Sequence, residues 1–231
     1  MIIYGKNAVK EAIFAKRPLY QVYIDENSQD SALLAFLDDK KIKYQKKPKG
    51  FLNNLTDNAV HQGIVADVKP YSYKGLDDVL DSNKQQRFLV LDGIEDPHNL
   101  GAIMRTAEAI QLDGIILSKK RQVPLSGTVA KVSSGAIEYV DLILVSNINQ
   151  AIQKLKDHHV LVVGTAKEAE TPYDSLDLNQ SIAIVLGNEG EGMRALVKKN
   201  CDVLVTIPMF GKINSLNVSV AAALLMYAVK K

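Results

Sequence analysis

Apolar and polar positions fall into blocks along the 231-residue chain, and the character of the blocks changes near residue 87. Before that point the apolar stretches are short and of mixed period. Residues 7–15 carry Ala8, Val9, Ala12, Ile13 and Ala15 at helical spacing. Residues 19–24 alternate as a strand, 31–37 read as a second helix, 42–44 as a strand, 51–55 as a brief helix and 63–68 as another strand. The spacing predicts a small α/β module over residues 1–70, near the lower size limit for a self-standing core. Residues 71–86 turn polar and read as a linker with one helical turn. From residue 87 strands and helices alternate regularly. Strands are expected at 88–91, 114–117, 140–145, 160–164, 182–186 and 203–207, with helices at 99–110, 126–132 and 148–156. Each strand is a continuous apolar run, which suits strands covered on both faces and hence a mostly parallel sheet. The last stretch, 207–229, joins a glycine-containing loop to an apolar run starting at Val218. That run is too short to cross a bilayer, which takes ~20 apolar residues. It reads as a helix buried in a core or at a subunit interface. Ser215 and Asn217, just before it, are helix-capping residue types.

Composition adds bounds rather than identity. Apolar residues make up 47% and charged residues 23%, ordinary for a globular chain with a sizeable core. The start of the chain lacks the pattern of a signal peptide. With Cys201 as the single cysteine, neither a disulfide framework nor a thiolate metal cluster is expected. These features lead to the expectation of a cytoplasmic protein with no membrane span. Residues 1–70 hold 11 Lys/Arg against 8 Asp/Glu, a mild basic excess. It is concentrated in Lys40, Lys41, Lys43, Lys46, Lys47 and Lys49, and it permits nucleic-acid contact without demonstrating it.

Several chemistries are excluded by pattern. There is no P-loop and no G-x-S-x-G elbow. Gly187, Gly190 and Gly192 read G-x-x-G-x-G, not a dinucleotide fingerprint. His61, His98, His158 and His159 show no metal-ligand spacing, so no metal site is expected. Three polar clusters remain, each just beyond the C-terminal end of an expected strand, the edge where open α/β sheets bind ligands. The first runs from Asp92 to Asn99 and leads into the helix bearing Arg105. Singly, Asn99 reads more readily as a helix cap and Arg105 as a surface charge. The second is 187–192, where three glycines allow close backbone approach to a ligand. The third is 208–217. Glycine amides without a P-loop lysine point away from a triphosphate. They suit a ligand that lays an adenine between backbone segments and carries positive charge.

The motifs D-P-x-N-x-G-A-I-x-R-T-A at 96–107, I-V-L-G-N-E-G-E-G at 184–192 and I-P-M-x-G-x-x-x-S-L-N-V-S-V-A at 207–221 resemble the three motifs of the SpoU family. These are the TrmH-like RNA 2′-O-ribose methyltransferases. Y-G-K-N-A-V-K-E-A near the start and H-Q-G-I-V-A at 61–66 resemble the substrate-binding domain of the RlmB-like subgroup, which methylates a guanosine ribose in large-subunit (23S) ribosomal RNA. The resemblance implies S-adenosylmethionine as methyl donor and a SPOUT-type α/β fold with a C-terminal trefoil knot. It also implies a homodimer built on that knot and an RNA partner, with a catalytic domain over residues 87–231. Carried over residue by residue, cofactor contacts fall on Gly187, Ile207 and Leu216. Catalytic and substrate-ordering roles fall on Asn99, Arg105, Glu189, Ser215 and Asn217. Three alternatives stand beside this: a transfer-RNA enzyme of the same family, a non-catalytic RNA-binding assembly module, and a nucleotide-dependent oxidoreductase. The glycine spacing counts against the last.

Overall fold

A computed structural model describes residues 1–188 and 190–230. The chain forms two compact units, and the division is not linear in sequence. The first joins Met1–Tyr71 to Pro124–Tyr139; the second joins Ser72–Val123 to the chain from Val140 onward.

In the first unit β1 (Ile2–Tyr4), α1 (Lys6–Phe14), β2 (Leu19–Asp25), α2 (Ser31–Asp39), β3 (Gln45–Lys47), α3 (Lys49–Leu55) and β4 (Ile64–Val68) follow one another. They build a four-stranded sheet of order β1-β4-β2-β3, in which only the β2–β3 pair is parallel. The expected strand at 42–44 is displaced to Gln45–Lys47 because residue 42 has other work. The Ile42 N–H donates to Leu37 O at 2.9 Å and closes the end of α2, with Lys41 in the left-handed region that such a helix end requires (φ 53°). The unit is completed by α5 (Gly127–Val132) and a short 3-10 turn at Ala136–Glu138. The sequence reading assigned this helix to the second half of the chain. It packs instead on β1, where a Cβ on Gly127 would lie 2.6 Å from Ile2 O, so nothing larger than glycine fits that approach.

The second unit carries a seven-stranded sheet, every pair of it parallel. Its strands are β5 (Arg87–Asp92), β6 (Gly114–Ser118), β7 (Leu142–Val145), β8 (Leu161–Thr165), β9 (Thr171–Pro172), β10 (Ile182–Gly187) and β11 (Val203–Thr206). Their order is β7-β6-β5-β10-β8-β11-β9. Helices α4 (Pro97–Ala109), α6 (Ile148–Asp157), α7 (Ala195–Asn200) and α8 (Val218–Ala228) accompany it. Every residue of β5 and β6 is buried, as the unbroken apolar runs require for a sheet covered on both faces. The segment before β5 is not a free tether. Lys74 donates from its backbone N–H to Leu142 O at 2.8 Å, Leu76 is buried, and one turn closes from Leu80 N–H to Leu76 O at 3.1 Å.

Helix α8 forms as expected but is only half covered within the chain. Val218, Ala222, Leu225 and Met226 are buried at helical spacing, and the helix packs on α4. Val220, Leu224 and Tyr227 make an exposed apolar stripe on another face. Among the described residues no helix is long and apolar enough to cross a membrane.

Candidate active site

Strand order decides what meets at the sheet's C-terminal edge. After β5 the chain builds outward through β6 to β7, then returns to lay β10 against the free side of β5, with β8 and β11 beyond it. The border between β5 and β10 is therefore a topological switch point, where loops leave in opposite directions and open a crevice. The three polar clusters all emerge at this edge, from the ends of β5, β10 and β11.

The cluster after β5 is ordered by its own helix start. Asp96 caps α4, accepting from the His98 N–H at 2.9 Å, and Pro97 occupies the first turn, where its missing N–H costs nothing. Asn99 is thus relieved of the capping role that the sequence left open for it. It sits inside the first turn with 7% exposure, and a buried amide must find partners. One is Asn217, whose Nδ2 donates to Asn99 Oδ1 at 3.0 Å. Asn217 does cap a helix: its Oδ1 accepts from the Ser219 N–H at 2.9 Å and from the Ser219 hydroxyl at 2.6 Å. The first and third clusters are joined by this amide pair.

The cluster after β10 folds into a tight loop. Asn188 and Gly192 exchange backbone hydrogen bonds at 3.1 and 2.9 Å. The crossing is so close that a Cβ on Gly187 would lie 2.0 Å from the carbonyl carbon of Gly192. Together with the ends of β8 and β11, this loop encloses a pocket of about 450 Å³. Its walls are apolar at Leu186, Ile207, Leu216, Val218 and Leu225, polar at Thr165, Asn188, Thr206, Asn214 and Ser215, and charged at Lys167, Glu168, Glu191 and Lys198. That volume and lining are those of a site for a small organic ligand.

The expected site residues distribute as follows. Gly187, Ile207, Leu216 and Ser215 all line the pocket. Asn99 and Asn217 form the amide pair beside it, since Asn217 directly follows Leu216. Arg105 is exposed on α4, and its side chain makes no hydrogen bond or ion pair with any described residue. Glu189 lies outside the described residues. Among those described, no group of three or more His, Cys, Asp or Glu side chains is arranged to hold a metal. Two residues near the site were given no role by the sequence reading, although Asp92 opened its first cluster. Asp92, buried at the end of β5, pairs with Arg194, which precedes α7. The only signal for them was an aspartate at a strand end, too common a pattern to single out. Cys201 lies away from the expected chemistry, and burial pushes its thiol pKa up to about 11, so it stays protonated.

Comparison with known proteins bears on the same edge. The SpoU rRNA methylase family matches residues 86–227, and the RNA 2′-O-ribose methyltransferase substrate-binding family matches residues 2–74. A Staphylococcus aureus (strain COL) protein assigned to the TrmH family of tRNA/rRNA methyltransferases is 46% identical over 235 residues, covering 99% of this chain and 94% of its own. Among solved structures, the SpoU methyltransferase AviRb from Streptomyces viridochromogenes, crystallised with AdoMet, superposes with a TM-score of 0.86 at 20% identity. The match covers 100% of this chain and 89% of that one. An RNA 2′-O-ribose methyltransferase superposes with a TM-score of 0.78 at 27% identity, over 99% and 87% of the two chains. The oxidoreductase and non-catalytic alternatives fall away, and the chain belongs to the SpoU family of RNA 2′-O-ribose methyltransferases.

Proposed function

We propose that the pocket between the 187–193 loop and the 207–216 segment holds S-adenosylmethionine, and that the 2′-hydroxyl methylated belongs to a guanosine of large-subunit ribosomal RNA. The convergence of Gly187, Ile207, Leu216 and Ser215 on one pocket of about 450 Å³ is the observation that carries the donor assignment. Its fit is chemical as well as spatial. The apolar walls suit an adenine, and the polar side chains of Thr206, Asn214 and Ser215 on the lining suit the hydroxyl and amino groups of the donor. The donor, when bound, supplies an electrophilic sulfonium methyl for the ribose 2′-oxygen.

The chain's own residues orient the acceptor. Asn99 holds the Asn217 amide beside the pocket, so that Asn217 and the Ser215 hydroxyl can fix a ribose for in-line approach. Arg105 is a poor general base, because a guanidinium is effectively always protonated. Its role in this proposal is to stabilise the 2′-oxygen as its proton leaves, with the proton passing to a neighbouring RNA phosphate that Arg105 also contacts. Glu189, which lies outside the described residues, joins the proposal as a substrate-ordering residue.

The ribosomal target rests on the first unit, whose match is to a substrate-binding family and whose lysine-rich β3 offers charge to a folded RNA. Homodimerisation through α8 is supported by the stripe of Val220, Leu224 and Tyr227. The same proposal ties the C-terminal strands and final helix into a trefoil knot and assigns the protein to the cytoplasm. To test the target, labelled S-adenosylmethionine is incubated with separately purified 23S, 16S and transfer RNA lacking modification. Label in 23S RNA, recovered as 2′-O-methylguanosine, supports the proposal; label confined to transfer RNA would transfer it to the alternative substrate.

A further inference from the structure

Asp92 is the last residue of β5, and its Cα lies opposite Gly187 in the β5–β10 register. Its side chain is 1% exposed, a setting in which an ionised carboxylate must be paired. The pairing is concentrated on one residue. Arg194 Nε donates to Oδ1 and Oδ2 at 3.0 and 3.1 Å, Nη2 also donates to Oδ1, and the Arg194 backbone N–H donates to Oδ2 at 3.3 Å. Donating to the Asp92 carboxylate raises the Arg194 pKa, against the opposing effect of burial.

The position of Arg194 gives the pair its significance. Arg194 is the first residue after the 188–193 loop and the last before α7. The start of the loop is tied to the same strand end, since Asn188 Nδ2 donates to Gly93 O at 3.4 Å. Both ends of the glycine loop are thus anchored at Asp92–Gly93, while the residues between form one wall of the pocket. Neither Asp92 nor Arg194 lines the pocket. The Asn188–Gly192 hydrogen bonds close the loop on itself; the anchors at Asp92 and Gly93 set where the closed loop stands, and having to seat it on ligand arrival would weaken binding.

We propose that Asp92 and Arg194 are positioning residues for the methyl donor: a buried carboxylate–guanidinium clasp that presets the glycine loop in its binding shape. The inference rests on the assignment of the pocket to the donor. It gives the chain a determinant of donor affinity outside the residues that touch the donor, and it separates binding from transfer. The clasp acts on the free loop, so its loss appears in donor affinity and apparent KM, with the rate at saturating donor largely kept.

The test uses the full chain as wild type and as Asp92→Asn, Arg194→Lys, Arg194→Met and the double variant Asp92→Asn with Arg194→Met. S-adenosylhomocysteine is titrated calorimetrically, and methyl transfer to unmodified ribosomal RNA is followed over a range of S-adenosylmethionine concentrations. Removing the charge-assisted bonds in Asp92→Asn is expected to weaken donor binding roughly ten- to hundredfold. The maximal rate should stay within about threefold of wild type. Arg194→Lys, which keeps the cation but loses the planar fork, should fall between. Arg194→Met alone leaves the Asp92 carboxylate, 1% exposed, without its partner. The double variant removes both charges together, and so provides the folded probe of the clasp should a single variant fail to fold. Unchanged donor affinity in Asp92→Asn and Arg194→Met, or in the double variant, overturns the proposal. So does a lowered melting temperature or maximal rate with unmoved KM, which would mark the pair as scaffold alone. A wild-type chain that binds no donor overturns the assignment of the pocket itself, and the clasp's role with it.

Discussion

Asn217 serves a helix and a site with different atoms of one amide. Its oxygen caps α8 and its nitrogen donates to Asn99, so the two roles separate by substitution. Asn217→Asp keeps an acceptor for the cap and loses the donor. It is expected to leave the melting temperature near wild type while lowering methyl transfer. Asn217→Ala loses both and should cost about 1 kcal/mol of stability as well, which denaturant titration reads directly. Arg105, exposed and without a described partner, is expected to behave differently. Arg105→Ala should lower turnover by roughly 10²–10³ while donor binding stays at wild-type strength; full turnover in that variant would remove Arg105 from the mechanism. His61 supplies a pH-dependent term in the first unit. It is buried, its Nε2 faces Asn53 Oδ1 at 2.9 Å, and its Nδ1 accepts from the Gly63 N–H at 3.0 Å. Desolvation is the main cause of its lowered pKa. The unfolded chain then binds the proton more readily than the folded one, so stability is complete above the ordinary histidine pKa and declines as pH falls through the lowered value. Thermal melts of wild type and His61→Gln from pH 8 to pH 5 should diverge in that sense. At this scale the sequence reached residue types but not their surroundings. Asn99 and a capping residue look alike until Asp96 is seen to take the cap.

Long apolar elements were legible because burial on both faces leaves an unbroken hydrophobic run, as in β5, β6 and β10. The helices α1, α4, α6 and α8 were legible from spacing and caps. Some short elements were legible too, such as α3 and α5, but others were not. A three-residue β1, the six-residue α7 and the displaced β3 are fixed by partners distant in sequence, and local pattern carries no record of them. The pocket shows the same division. Three glycines in 187–192 announced a tight loop, but only the fold shows which one is indispensable. Gly187→Ala would drive a Cβ into the Gly192 carbonyl. It is expected to abolish donor binding by calorimetry while far-ultraviolet circular dichroism stays near wild type. Helix α8 was legible as apolar all round, yet its division into a face on α4 and an open stripe depends on tertiary packing.

For the whole molecule, the non-linear division into units changes how the first unit should be probed. Removing residues 1–70 would also strip α5 of β1, on which it packs, so charge reversal is the cleaner experiment. Lys46→Glu with Lys49→Glu, both at exposed positions, should weaken RNA binding. The slope of log affinity against log salt should flatten by about 1 for each RNA phosphate that the variant no longer neutralises, with donor affinity unaltered. No local pattern announced that residues 124–139 belong with the first unit, because the packing of Gly127 on β1 joins positions more than a hundred residues apart. The central claim is that this chain moves a methyl group from S-adenosylmethionine to a ribose 2′-oxygen of RNA. The most direct measurement is to incubate the protein with methyl-labelled donor and unmodified RNA, then hydrolyse the product in alkali. A methylated 2′-oxygen cannot assist cleavage of the neighbouring phosphodiester. The account predicts label in an alkali-stable dinucleotide whose formation is lost in Arg105→Ala. Label released as a base-methylated mononucleotide, or no transfer at all, would contradict it.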